Sequence, residues 1–477
     1  MRKNIRPDKP VYSENMPARY LSAFALLLLM MAFPGCKKFI EVAPPKTELA
    51  VSEVFSDNNV ATSAVTSIYA QMQSMTTIIQ YTGLSSDEFT NYGADKYDNL
   101  YKNALTESTG TDIQLWTNAY NYIYQANAVL EGLQHSSAVT TAVKNQLSGE
   151  ATFIRAFWFF YLTTLYGDIP IIKTTDYRVI PTLPGSPQKD VYQQIIDDLT
   201  AAQALLADHY IDSKNAPSDE RVRPTKWAAT ALLARAYLFN KDYLNAELQS
   251  SKIINNTELF NLPQDLNEVF LKNSTETIWQ LMPPPDNFHT DEGSRFILTD
   301  IPDPTSGVAL SPQVLDAFEQ GDKRKDSWVD SVVTPGSTYY YPFKYKIKDG
   351  QDEQKEYSMV LRLAEQLLIR AEARIQQNKL KPGADDIDAL RARAGLTPTK
   401  AATKEALIKA IMHERQAELF TEGHRWLDLK SHNLVDKVML TITPEKGGGP
   451  WQSYQQLYPI PHSDIQMSQH LKQNPGY

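Results

Sequence analysis

Glu414, Glu418 and Glu422 recur at four-residue steps, with Arg415 and Arg425 close by in the chain. On a helix this spacing puts three carboxylates on one face. Paired carboxylates run glycoside hydrolysis, but there the two groups face each other across a cleft. A single stripe flanked by arginines reads instead as a ladder of ion pairs. His413-Glu414 opens a zinc-site pattern, yet position 417 is Ala where the second His is needed. Asp87-Glu88 and Asp385-Asp386-Ile387-Asp388 could each bind calcium or act as an acid–base pair. Each also has a structural reading, a turn for the first and an acid-favouring helix N-terminus for the second. There is no phosphate-cradling glycine loop and no nucleophile elbow. These patterns lead us to expect no catalytic residue, no metal ligand and no cofactor.

Cys36 is the only cysteine in 477 residues, so an intrachain disulfide is impossible and its chemistry lies elsewhere. Ahead of it, Arg2, Lys3, Arg6, Lys9 and Arg19 make a basic start. An uncharged run, residues 21–33, then leads into Phe33-Pro34-Gly35-Cys36. The run is too short to span a bilayer, and the arrangement reads as an export signal over residues 1–35. It resembles a bacterial lipoprotein signal, in which the cysteine thiol receives a diacylglyceryl group and becomes the first mature residue. An ordinary secretory signal beside a free cysteine is the other reading.

A mature chain of about 440 residues can bury a substantial core. Net charge is −9 and no long basic run follows the export segment, which excludes nucleic acid as a partner. Tyrosine is frequent, at 25 beside 17 Phe and 7 Trp. Its ring packs while its hydroxyl bonds, which suits a carbohydrate- or peptide-contacting surface as well as a helical core with polar edges.

The elements that must position these residues are mostly helical. The periodicity predicts helices over 60–75, 112–133, 144–166, 190–206 and 224–239, with Pro224 in the first turn of the last. The stretch 144–166 carries two apolar stripes, one through Trp158 and one through Phe153, Phe157 and Phe160, so it belongs among other helices. Trp227, Ala234, Ala236, Tyr237, Tyr243 and Ala246 have the spacing of a tetratricopeptide helix pair, and 357–377 with 381–394 make a second candidate. Such pairs bury their faces only by stacking. We therefore expect a mainly α fold: a tetratricopeptide-like helical-repeat scaffold of about four helix pairs, over residues 110–260 and 355–425 of a single domain, 36–477. Two loop-rich insertions, 85–103 and 283–343, interrupt it, with short strands at Ile278–Leu281 and 343–347 flanking the second. Function tends to sit in such insertions.

Several stretches in order resemble the SusD/RagB family of nutrient-binding outer-membrane lipoproteins. Cys36 to Pro45 (CKKFIEVAPP) is similar to the mature start of that family, and Val54-Phe55-Ser56-Asp57 with Ala61, Ala64, Ile68 and Tyr69 to its first helix. Glu150 to Pro170 (EATFIRAFWFFYLTTLYGDIP) resembles its most recognisable segment. Arg223 to Ala229, Glu414-Arg415 through Glu422 to Asp428, and Pro459 to Asp464 with Gln473 to Tyr477 complete the set.

The resemblance implies a non-catalytic, lipid-anchored protein on the outer face of the outer membrane. It implies capture of oligosaccharides, or of peptides in some members, as a hinged lid on a SusC-like TonB-dependent barrel transporter. No ligand residue carries over by motif, so candidates come from the two insertions: Asp87, Asn91, Tyr92, Tyr97 and Asn99 in the first, and Phe288, Trp328, Tyr339 and Tyr340 in the second. Aromatic faces pack on sugar rings while Asn and Asp bond their hydroxyls. A surface glycosidase, or a helical adaptor that binds only its membrane partner, are the other readings.

Overall fold

The computed structural model describes residues 53–72, 76–93, 97–284, 289–302, 307–350 and 353–477. The export signal, Cys36 and Phe288 lie outside the described residues. Asp57 starts the first helix: its carboxylate accepts hydrogen bonds from the backbone N–H groups of Asn59 (2.7 Å) and Val60 (3.0 Å). Helix α1 (Asn58–Gln71) therefore begins ahead of the expected Val60, and α2 (Thr76–Ser85) follows it. The stack proper comprises α3 (Leu115–His135), α4 (Thr141–Tyr166), α5 (Gln188–Leu205), α6 (Lys226–Phe239) and α7 (Tyr243–Ile254). It continues with α8 (Leu363–Gln376), α9 (Leu380–Arg393) and α10 (Lys404–Leu419), then α11 (Arg425–Ser431) and α12 (Val435–Glu445).

From α3 to α7 each helix packs on the next. The chain then leaves the array, and α8 returns to dock on α7 and α6 before α9 and α10 pack on it. This is the tetratricopeptide-like stacking that two-faced helices require. Helix α4 is the axle, with every residue from Gly149 to Tyr166 buried. Gly167, at φ +79°, ends it. Ion pairs lock the layers: Arg155 to Asp198 (2.7 Å) joins α4 to α5, and Arg235 to Glu365 (2.6 Å) joins α6 to α8. Trp279 sits edge-on against Phe153 (5.0 Å) and Phe157 (5.7 Å) and plugs the strand region onto α4.

Three antiparallel pairs supply the strands: β1 (Phe89–Asn91) with β3 (Val308–Leu310), β2 (Thr277–Leu281) with β6 (Ser358–Arg362), and β4 (Val329–Thr334) with β5 (Ser337–Pro342). Several expectations need correction here. Residues 357–377 are not one helix, because 358–362 pair with β2 and the helix starts only at Leu363. Pro224 is not in a helical turn; Thr225 is the cap, its hydroxyl accepting from the Trp227 N–H at 3.2 Å. Thr106 caps a separate short helix, Glu107–Asp112, ahead of α3. Residues 343–347 form no strand, since the Glu356 carboxylate takes the N–H groups of Lys346 (2.6 Å) and Ile347 (3.2 Å) that a ladder would use.

The acidic clusters also resolve. Asp386 lies beyond the first turn of α9 and pairs with Arg370 and Arg374; Asp388 accepts from the Thr399 N–H. The glutamates around α10 do not form a ladder with Arg415 and Arg425. Arg415 pairs with Asp428 (2.8 Å) and Arg425 with Asp87 (2.7 Å). Glu414 and Glu418 point instead into a buried network with Arg324, and Glu418 also meets Arg362 and Arg393. Glu422, past the helix end, meets Arg362 and Lys344. The helix carboxylates face the core because Arg324 from the second insertion, Arg362 at the end of β6 and Arg393 at the end of α9 converge on them.

Candidate ligand-binding site

The first insertion is cinched at its root. Asn103 Nδ2 donates to the Ser85 carbonyl at 2.9 Å, and Lys446 Nζ donates to the carbonyls of Leu84 (2.7 Å), Ser85 (3.3 Å) and Ser86. Burial pushes the Lys446 pKa down to about 7. Asp87 follows, gripped by both Nε and Nη2 of Arg425 at 2.7 Å. Burial alone would raise the Asp87 pKa, but Arg425 holds it below the usual range. Next to it, Glu88 is buried with one oxygen on the Thr421 N–H (3.2 Å), and burial pushes its pKa up to about 8. Gly83 lets α2 approach this segment, because a Cβ there would lie 2.5 Å from the Phe89 ring.

This clamp delivers β1 to its partner in the second insertion. The register pairs Phe89 with Leu310 and Asn91 with Val308, and Tyr92 N–H donates to the Gly307 carbonyl at 2.7 Å. The two insertions are thus one structure joined by backbone hydrogen bonds. A cavity of about 420 Å³ opens at the joint. Asn91 and Tyr97 line it from the first insertion, Arg295, the 297–301 segment and Gly307 from the second, and Gln80 and Lys348 from outside both.

Its polar groups are held but not saturated. Arg295 donates from Nη1 to Gln80 Oε1 (3.0 Å) and from Nη2 to Asp291 (3.3 Å), while its Nε has no partner among the described residues. Lys348 Nζ donates to the carbonyls of Ile297 (2.6 Å) and Ser294 (3.3 Å), which pins that wall. Asn91 is braced by Gly93, its Oδ1 accepting from the Gly93 N–H and its Nδ2 donating to the Gly93 carbonyl. The Tyr97 ring lies 5.8 Å from the Tyr81 ring. Just outside, Tyr92 is 42% exposed and meets Tyr339 edge-on at 5.4 Å. Such a mixture of half-exposed rings and directed donors fits a polyhydroxylated ligand with apolar faces. Among the described residues Asp300 is the one carboxylate lining the cavity, and no group of three or more His, Cys, Asp or Glu is placed to hold a metal ion.

The structure sorts the sequence candidates. Asn91 and Tyr97 line the cavity, and Tyr92 and Tyr339 form the ring pair beside it. Asn99 sits in the short helix Asp98–Tyr101 without lining it, and Tyr340 turns away from Tyr339 to pack on the main core. Two candidates are corrected. Asp87 has both oxygens on Arg425 and is a clamp residue. Trp328 is fully buried; its Nε1 donates to the Leu266 carbonyl (3.0 Å), and Lys344 lies 4.9 Å from its ring. No ligand reaches that ring without opening the core.

Residues 38–238 match a family described as starch-binding and associating with the outer membrane, and residues 313–477 match the SusD family. The chain belongs to the SusD family. The SusD-like protein P2 of Formosa agariphila is 24% identical over 522 residues, covering 96% of this chain and 100% of that one. A SusD superfamily structure from Bacteroides vulgatus ATCC 8482 superposes with a TM-score of 0.75 at 21% identity, over 89% of this chain and 100% of the other. A laminarin-binding SusD-like protein superposes with a TM-score of 0.70 at 20% identity, over 87% and 99%. At these identities the SusD fold is shared while side chains at the site are free to differ. Gln80, Arg295 and Lys348 were missed by sequence reasoning. Gln80 sits on a helix that reads as core, and the two cations carry no aromatic or motif signal.

Proposed function

We propose that this SusD-family chain is a non-catalytic surface protein of the outer membrane, anchored through lipid on Cys36. It captures an oligosaccharide in the cavity between its two insertions and passes it to a SusC-like TonB-dependent barrel transporter. The observation that carries the reading is the convergence of Asn91, Tyr97 and Arg295, from two insertions far apart in sequence, on one pocket. Support for a glycan comes from the family description as starch-binding and from the laminarin-binding neighbour. Among the described residues no helix is long and apolar enough to cross a membrane, so a lipid on Cys36 would supply the attachment.

Calorimetric titration with gluco-oligosaccharides of α and β linkage, and with peptides, tests the ligand. Saturable glycan binding that Tyr97→Ala weakens, with the glycan recovered intact, supports the reading. Steady glycan cleavage or a peptide-only preference overturns it. Cys36→Ala is expected to release the protein from membranes, and a gentle pull-down to recover a barrel partner with the wild type.

A further inference from the structure

A second cavity, of about 740 Å³, opens where the C-terminal end of α4, the start of α5, the α6–α7 turn, the end of α11 and the 470–475 segment meet. None of its lining residues lines the glycan pocket. Its charge runs against that of the chain. The protein carries a net −9, yet among the described residues Lys241, Lys430, Lys472 and His470 face this cavity against one carboxylate, Asp168. Asp168 is already engaged, with Oδ1 accepting from the Gln188 N–H at 2.9 Å.

The lysines lack acids of their own. Lys430 donates to the backbone carbonyls of Gln456 (2.9 Å) and Thr164, and Lys241 donates to that of Ser431. Among the described residues none of the three lysines has a carboxylate oxygen within 4.0 Å. Glu372 acts on Lys241 from further away but faces His432 at 3.0 Å. Buried arginines elsewhere are matched, as Arg223 is to Glu150 and Arg235 to Glu365. A sequestered ammonium without a counter-charge is unfavourable, and burial moves the Lys430 pKa down to about 7. An anion in the cavity would restore the balance that the protein leaves open.

We propose that this cavity is a second ligand site, which takes the carboxylate or sulfate group of an acidic sugar against Lys241, Lys430 and Lys472. Its volume falls in the range of small-molecule pockets. Lysine is a compact point charge, so the site reads charge more than the planar shape of one anion. It is separate from the neutral-glycan pocket, and it gives the chain a way to hold an acidic substituent without a stacking ring.

The test is titration of the mature protein at low salt with glucuronic acid oligomers, sodium sulfate, and a neutral gluco-oligosaccharide. Saturable binding of the acid oligomers, competed by sulfate and weakened by added salt, is the expected result. Lys472 is solvent-exposed and makes no hydrogen bond among the described residues, so Lys472→Glu keeps the fold. It should weaken the acid oligomers about tenfold or more while leaving the neutral glycan untouched. Tyr97→Ala should do the reverse, which separates failure of this site from failure of the first. The proposal is overturned if the acid oligomers do not saturate, if sulfate alone binds, or if affinity survives Lys472→Glu combined with Lys241→Gln.

Discussion

The ion network around Glu418 and the pocket around Arg295 both collect charged side chains from distant parts of the chain, and they finish the job differently. In the network, Glu418 takes Arg362 (2.7 Å) and Arg393 on one oxygen and Arg324 (3.0 Å) on the other. Burial opposes its ionisation, yet the surrounding arginines hold its pKa well below the usual carboxylate range. Both of its oxygens are occupied and water is excluded. At the pocket, among the described residues, the Arg295 Nε is left without a partner and Lys348 is bonded only to backbone carbonyls. Saturated charge fixes the scaffold, because removing one member leaves buried charge undercompensated. Unsaturated charge beside half-exposed rings leaves capacity for a ligand.

The strongest way to break this contrast is Glu418→Ala. It removes the carboxylate that three buried arginines share, leaving Arg324 with Asp322 and Glu414, Arg362 with Glu276 and Glu422, and Arg393 with Glu276 alone, so a loss of about 3 kcal/mol in urea unfolding is expected. The glycan affinity of the molecules that remain folded should not change. A stability close to wild type would show that the network is not architectural.

Next in size is a pH effect centred on Glu88. Its folded pKa is raised to about 8, above its unfolded value, by burial first. From about pH 4.5 upward the unfolded state releases a proton that the folded state keeps, so stability falls as pH rises towards 8. Above that pH the penalty is complete. Lys430 and Lys446 have depressed pKa values of about 7 and act with the opposite sign, adding stability as pH rises above 7. Glu88→Gln keeps the neutral shape and should flatten the decline between pH 4.5 and 8. An unchanged pH profile in thermal melts would remove Glu88 from this role.

A smaller pair of substitutions sharpens the comparison. Trp328→Phe opens a core gap and should cost roughly 2 kcal/mol of stability with no change in glycan affinity. Tyr97→Ala should instead leave stability nearly intact and weaken glycan binding by about 1 kcal/mol, roughly fivefold. If the two variants exchanged phenotypes, the assignment of buried and receptive rings would be wrong. The least effect is expected from Asn99→Ala, which lies off the cavity wall; a calorimetric shift beyond about 0.5 kcal/mol would move that residue into the site.

Much of the scaffold was legible without coordinates. The two-striped segment that became α4 is buried through its length, and the pairing of small and aromatic residues at 227–246 did mark adjacent stacked helices, α6 and α7. Periodicity reports these because helix packing buries a face whose residues are three and four apart in the chain. It also marked 85–103 and 283–343 as places where the pattern stops, and both contribute to the pocket. Strands were harder: 358–362 read as helix, since five residues give few periods to count and β2 is far away in sequence.

The sequence by itself determined the class of the fold, and it marked two irregular stretches that both reach the wall of one cavity. Which ring meets solvent was decided only in three dimensions. Trp328 and Tyr97 are both aromatics in irregular insertions, and nothing local separates them. One is roofed by Lys344 and Phe270, brought from elsewhere in the chain, and the other is left on a cavity wall. The same holds for charge. Arg425 was expected beside Glu422 and instead holds Asp87, across more than three hundred residues. Ion pairs follow distance in space, and a carboxylate bonds whichever cation the fold carries to it with the least exposure to water.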